Sequence, residues 1–173
     1  MPTYTSSVLA IAALALASGC ASTVPPAAKA ASVERMQCEP SAAVQDAEHL
    51  VRSTTVLSVE PIYSHVLTAS NSEDRVNGAK LVVRPPQGVS AEQMTRILQC
   101  HSARILLGQV SSNAIANDPY WLPDTWVNIE VKSENGNFAI TVSADSLRDD
   151  LRIYSRVNRY ADDHMVATDP ELP

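Results

Sequence analysis

Cys100 and His101 are neighbouring residues of two types that can bind a metal ion or take part in redox chemistry. They fall in a stretch predicted to be helical. Adjacent helical side chains point about 100° apart, so one metal ion could not easily contact both. The chain has no Cys-x-x-Cys or His-Glu-x-x-His motif, and His49 and His65 could join a site only through tertiary contacts. We therefore expect His101 to be a hydrogen-bonded core histidine, with no metal and no cofactor; a metal or redox site is the alternative.

Sequence motifs of the common enzyme classes are missing. There is no Gly-x-Ser-x-Gly motif, P-loop or dinucleotide-binding glycine pattern, and five glycines in 173 residues leave little for phosphate-binding loops. A formal net charge of −6 gives the chain no general electrostatic attraction for nucleic acid. We predict a non-catalytic protein that does not bind nucleic acid.

An aromatic loop with two prolines is predicted at residues 118–126, DPYWLPDTW. Tyr120, Trp121 and Trp126 offer large surfaces with a polar group, and the prolines reduce the entropy lost when the loop is ordered. Such a loop would suit a ligand or a partner protein. Alternatively, the rings fold back as a lid over a small core, because large rings are usually mostly buried.

Four arginines follow one another at helical spacing: Arg148, Arg152, Arg156 and Arg159. On a helix they share the face opposite the apolar stripe. An arginine row can bind the carboxylates or phosphates of an envelope protein or an anionic polymer. Alternatively, Asp145 and Asp149 pair with the first two arginines and leave a solvated, self-paired surface.

Residues 1–20 combine an apolar segment with a cysteine that follows small residues. The ten-residue run VLAIAALALA would form a helix about 15 Å long, half of the roughly 30 Å bilayer core, so it fits a signal peptide better than a membrane span. Ser18-Gly19-Cys20 resembles the lipobox of bacterial lipoproteins. The resemblance implies a signal peptide at 1–19 and lipid attachment at Cys20. An ordinary secretory signal cleaved after Ala17 is the alternative.

The cysteine count bears on this choice. The chain has three cysteines, and a lipid on Cys20 leaves Cys38 and Cys100 as an even pair that can oxidise in an exported protein. Ordinary cleavage would leave an odd thiol. We therefore predict a Cys38–Cys100 disulfide that joins two helices; the alternative is two unpaired buried thiols.

The hydrophobic pattern predicts the elements that position these residues. In chain order, we expect a helix from Ser41 to about Arg52, strands over 56–67 and 79–84, a helix capped by Ser90 and ended by Gly108, strands over 125–133 and 137–144, and a last helix. Pro61 marks an edge or a bulge, and Asn135-Gly136 a tight hairpin turn. The last helix is expected to begin near Ser143 or Asp145 and to bury Leu147, Leu151, Tyr154, Val157 and Ala161.

The predicted order α-β-β-α-β-β-α indicates an α+β fold, a small antiparallel sheet with helices packed on one face. We expect a single domain over 37–161, between a lipid-attached tether at 20–36 and a disordered tail at 162–173. Residues 81–104 also resemble segments of uncharacterised exported bacterial proteins, which imply no activity.

These observations predict a non-catalytic lipoprotein of a bacterial cell envelope, a structural or interaction module that faces the periplasm. Ala21 after the cysteine resembles lipoproteins of the outer membrane more than those of the inner membrane. The alternative function is ligand binding through the 118–126 loop.

Overall fold

The computed structural model describes residues 24–38, 42–67, 72–115 and 117–165, except for the side chains of 42–46, 67 and 72. Within these ranges the elements are α1 (Pro26–Gln37), α2 (Ala42–Ser53), β1 (Val56–Leu67), β2 (Ser72–Val83), α3 (Ala91–Leu106), β3 (Val127–Glu134), β4 (Asn137–Ala144) and α4 (Leu147–His164). The predicted α+β class and the order α-β-β-α-β-β-α are confirmed, with α1 as an additional helix. None of the helices in these ranges is both long and apolar enough to cross a membrane.

The four strands form one antiparallel sheet in the order β1-β2-β4-β3. Buried and exposed residues alternate along β3, so one face of this strand points into the core. On the sheet, α3 contacts β3, and α4 contacts β2 and β4. The β3–β4 turn has positive φ angles at Asn135 (50°) and Gly136 (79°), as the Asn-Gly pair predicts.

The hairpin of β1 and β2 is longer than the sequence indicates. We expected β2 to begin at residue 79 after a polar loop, but it begins at Ser72, and its polar first half pairs with the outer half of β1. The two halves are joined across an irregularity between Pro61 and Tyr63, where the register shifts. Backbone hydrogen bonds hold this outer half together, and they leave no hydrophobic pattern in the sequence.

Helix α3 begins and ends as its sequence predicts. The Ser90 hydroxyl oxygen accepts a hydrogen bond from the Gln93 backbone nitrogen at 3.1 Å, and Gly108 follows the helix with a φ of 71°. Met94, Leu98 and His101 are buried on one side of the helix. From α3, His101 faces the loop that follows the helix, and Cys100 faces the end of α1.

Helix α4 buries a side that only partly agrees with our expectation: Val157 and Ala161 are buried as predicted, and Tyr154 is half-buried. It begins at Ser146, whose hydroxyl oxygen accepts from the Asp149 backbone nitrogen, and not at Ser143 or Asp145. Leu147 and Leu151, which we expected in the core, are 42% and 50% exposed. The side that faces inward carries an apolar stripe at helical spacing, and Asp150 on the same side accepts a hydrogen bond from the Ala144 backbone nitrogen at 2.7 Å. The apolar residues buried with Asp150 are Ile153, Val157, Tyr160 and Ala161.

Part of the expected tether is a packed helix. Residues 26–36, which we expected to be an unstructured spacer, lie in α1, which packs against α3. The segment is rich in alanine and has Pro26 at its first position, both of which favour a helix. Ala30 is fully buried with Ala103 and Trp126 in a small second core. At the other end, α4 continues to His164, beyond the expected boundary at 161, and residues 166–173 lie outside the described residues.

Candidate functional site: the arginine groove of α4

A disulfide bond joins Cys38, at the end of α1, to Cys100 in the middle of α3. The prediction of this pair is therefore confirmed, but the bond joins α3 to α1, which the sequence did not predict, and not to the helix expected from Ser41. Because both sulfurs are used in the bond, neither cysteine is a thiolate that could bind a metal ion. Among the described residues no group of three or more His, Cys, Asp or Glu side chains is arranged to hold one.

His101 is buried and pairs with Asp118 from the loop that follows α3. Its Nε2 atom lies 2.5 Å from Oδ2 of Asp118. The other carboxylate oxygen, Oδ1, accepts a hydrogen bond from the Tyr120 backbone nitrogen at 2.9 Å. His101 is thus a hydrogen-bonded core histidine, as the sequence analysis expected, and its partner is a residue to which we had assigned no role.

The three aromatic residues of the 118–126 loop have different environments. Tyr120 is fully buried and Trp126 is 7% exposed, with Nε1 of Trp126 donating to Oδ1 of Asn128. Burial raises the pKa of the Tyr120 hydroxyl well above its ordinary value, so this group stays protonated. These two rings fold back into the core and cannot form a binding surface, whereas Trp121 is partly exposed.

Trp121 lies beside α4, under one of the arginines. The guanidinium carbon of Arg156 is 4.8 Å from the centroid of the Trp121 ring, a cation–π contact. Nε of Arg156 donates to the backbone carbonyl oxygen of Asp118. The Arg156 guanidinium is therefore held in place from two sides.

A groove of about 360 Å³ runs along this side of α4. It is lined by Leu122, Pro123, Leu151, Arg152, Ser155, Arg156 and Arg159. Burial lowers the pKa of Arg156, the Asp118 carboxylate acts against this, and the positive charges of Arg159 and Arg152 lower the pKa further. This repulsion shows that the three arginines are concentrated in one place, where an anion would relieve it. We call this site the arginine groove.

The predicted pairing of the arginine row is partly wrong. Arg152 does bind Asp149, with 2.8 Å between Nη1 and Oδ1. Asp145 does not pair with Arg148: it binds Nζ of Lys29 in α1 at 2.6 Å. Arg148 is exposed and is not part of the groove lining, which contains the other three arginines.

Two contributors to the groove were missed by sequence reasoning. Leu151 was assigned to the core, and Asp118 to no role at all. The helical spacing of the arginines was a sufficient signal for their common face. The anchoring of Arg156 by Asp118 connects residues 38 positions apart, which no local pattern indicates.

No protein family, characterised protein or solved structure is detectably similar to this chain. Its function must therefore be argued from its own residues.

Proposed function

We propose that this protein is a non-catalytic lipoprotein of a bacterial cell envelope, anchored through Cys20, and that it acts as an interaction module. The lipobox-like Ser18-Gly19-Cys20 supports the anchor. The Cys38–Cys100 disulfide supports export, because disulfides form and persist in oxidising compartments such as the periplasm. Ala21 favours the outer membrane over the inner one.

The observation that carries the interaction role is the arginine groove. Three guanidinium groups line one groove beside the apolar side chains of Leu122 and Leu151. Asp149 pairs with Arg152, and the Asp118 carboxylate near Arg156 is itself bound to His101. Arginine binds carboxylates and phosphates through two parallel hydrogen bonds. The groove therefore suits an anionic segment of an envelope protein or an anionic envelope polymer.

The anchor is tested by metabolic labelling with a lipid precursor. We expect the wild-type protein to be labelled and to fractionate with membranes, whereas Cys20→Ser loses both properties. An unlabelled, soluble wild-type protein whose N-terminus is Ser18 would refute the anchor.

The groove is tested with a photo-crosslinking residue at position 155, which lies among the arginines. We would replace Arg152 and Arg159 with glutamine and keep Arg156, since Arg156 also holds the backbone of Asp118. Two desolvated charge-assisted contacts of about 1.5 kcal/mol each predict a loss of affinity on the order of a hundredfold. We therefore expect the crosslinked species seen with the wild type to be lost.

A matched control changes two exposed cations elsewhere, Arg96→Gln and Lys132→Gln, each of which is paired with a surface glutamate. This variant has the same change in net charge and should crosslink as the wild type does. If the groove is only a self-paired surface, its arginines contribute about 0–1 kcal/mol, and both variants will crosslink normally. That result would refute the groove as a binding site.

A further inference from the structure

Helix α1 is attached to the domain by the Cys38–Cys100 disulfide at its C-terminal end and contacts it through the exposed Lys29–Asp145 ion pair in its first turn. Between them, Glu34 binds the buried Arg104 with 3.3 Å between Oε1 and Nε. The chain therefore belongs to the packed domain from Pro26 onward.

The distance between the domain and a lipid on Cys20 is consequently short. Only residues 21–25 lie between Cys20 and Pro26, and a fully extended chain of this length reaches about 20 Å. A flexible spacer over the whole of 20–36 would have reached more than twice as far. A lipid on Cys20 would thus bring the first turn of α1 close to the membrane surface.

The start of α4 lies at this same end of the molecule. Asp145, which binds Lys29 of the first turn of α1, comes immediately before Ser146, the N-cap of α4. The C-terminal end of α1, a helix of 12 residues, is about 18 Å away along its axis. Of the two ends of the domain, the first turns of α4 are therefore on the side of Cys20.

The exposed residues at the start of α4 have the chemistry of an interfacial helix. Leu147 and Leu151 follow each other after one turn and are 42% and 50% exposed. Arg148 and Arg152 are exposed next to them. Exposed leucines flanked by arginines are typical of helices that lie in the lipid headgroup region, with the apolar side chains inserted and the cations on phosphates.

We propose that the first two turns of α4 lie on the surface of the membrane that holds Cys20, with Leu147 and Leu151 inserted among the lipids and Arg148 and Arg152 on their phosphates. This inference rests on the proposed lipidation of Cys20. Glu73 and Asp74 border the two leucines from β2; Glu73 pairs with Arg75, Asp74 contacts the His65 ring, and Asp149 pairs with Arg152. Leu151 and Arg152 also line the arginine groove, so its other two arginines, Arg156 and Arg159, are the ones left for a soluble partner.

The test uses the full lipidated chain in vesicles of phosphatidylethanolamine and phosphatidylglycerol. An environment-sensitive fluorescent amino acid replaces Leu151 in one sample and Glu92 in a second. Glu92 is the matched control, because its side chain is 87% exposed and it lies beside Met36 and Gln37 at the far end of α1. We expect blue-shifted emission and quenching by a lipid-borne quencher at position 151, and water-like emission at position 92.

Three outcomes would overturn the inference. If the protein is anchored but the probe at position 151 emits as it does in water, like the probe at position 92, the inference is refuted and the proposed function stays intact. A blue shift that disappears when each vesicle carries one protein molecule shows that a second copy, not lipid, covers the leucines. Protein recovered without lipid on Cys20 refutes the proposed function and this inference together.

Discussion

The Nε2 atom of His101 lies 2.5 Å from Oδ2 of Asp118, and both side chains are only 1% exposed. Through its backbone carbonyl oxygen, the same Asp118 accepts a hydrogen bond from Arg156 in the arginine groove. The pair therefore connects the interior face of α3 with the 118–126 loop and with α4. A change in the core at this point is expected to reach the groove.

Removal of the Asp118 carboxylate should destabilise the fold strongly. Asp118→Ala leaves the His101 ring buried without its partner, so we expect the free energy of unfolding to fall by about 3 kcal/mol. Chemical denaturation measures this loss. In a double-mutant cycle with His101→Ala, the two losses should be non-additive by about 1 kcal/mol or more, and strictly additive losses would show that the residues are not coupled. Asp162→Ala, on the exposed side of α4, is the control and should change stability by less than about 0.5 kcal/mol.

Loss of the disulfide should destabilise the domain and release α1 first. The bond closes a loop over a sequence separation of 62 residues. For a loop of this length the chain-entropy estimate is about 4 kcal/mol. We therefore expect a Cys38→Ser, Cys100→Ser double variant to unfold at clearly lower denaturant concentration and to lose hydrogen-exchange protection in α1 before α3. Equal stability of the variant and the oxidised wild type would contradict this.

The ion pair between α1 and the start of α4 should weaken in acid. The hydrogen bond from Lys29 holds the pKa of Asp145 below its ordinary value of 3.8, burial opposes this, and the Asn128 side chain adds to it. Because the pKa is lower in the folded state than in the unfolded state, the stabilisation is present above the ordinary value and is lost as the pH falls through the folded-state pKa.

Comparison with Asp145→Asn measures this contribution. The pair is mostly solvent-exposed, so we expect the wild type to be more stable by about 0.5 kcal/mol at neutral pH, and this difference to vanish as the pH falls through the folded-state pKa of Asp145. A difference that stayed constant over this range would show that the charge of Asp145 does not stabilise the contact. In a protein that already carries Lys29→Met, the further change Asp145→Asn should no longer lower the free energy of unfolding.

Gly78 should be the least replaceable of the glycines in the described part of the chain. A Cβ atom at this position would lie 2.3 Å from the backbone oxygen of Val142 in the neighbouring strand, and the φ of 117° is unfavourable for any other residue. We expect Gly78→Ala to lower the free energy of unfolding by about 3 kcal/mol. Gly88→Ala is the control: its φ is also positive (73°), but no atom lies within 4 Å, so a loss of only about 1 kcal/mol is expected. Thermal denaturation measures both losses. If Gly78→Ala and Gly88→Ala lose similar stability, the close approach to Val142 is not what makes Gly78 hard to replace.

Short-range patterns were enough to predict much of the fold. The bounds of β1 and β4, the Ser90 cap of α3 and the Asn135-Gly136 turn all agree with the structure. Each of these features depends on residues within a few positions of one another: alternation along a strand, a hydroxyl beside a backbone nitrogen, or a pair of residues that tolerates positive φ. The pairing of Cys38 with Cys100 could also be predicted, because lipidation of Cys20 would leave no other partner.

What the sequence by itself determined is therefore the order of the elements after α1, the Ser90 cap, the Asn135-Gly136 turn, and the common face of Arg152, Arg156 and Arg159. The tertiary structure decided which side of α4 is buried and whether α1 packs at all. Ile153 and Tyr160 are buried where we expected Leu147 and Leu151, and the packing of Ala30 against Ala103 and Trp126 makes α1 part of the domain. The His101–Asp118 pair and the contact of Arg156 with Trp121 join residues far apart in the chain. Such contacts depend on how whole elements pack, and the free energy of that packing is not encoded in any local pattern.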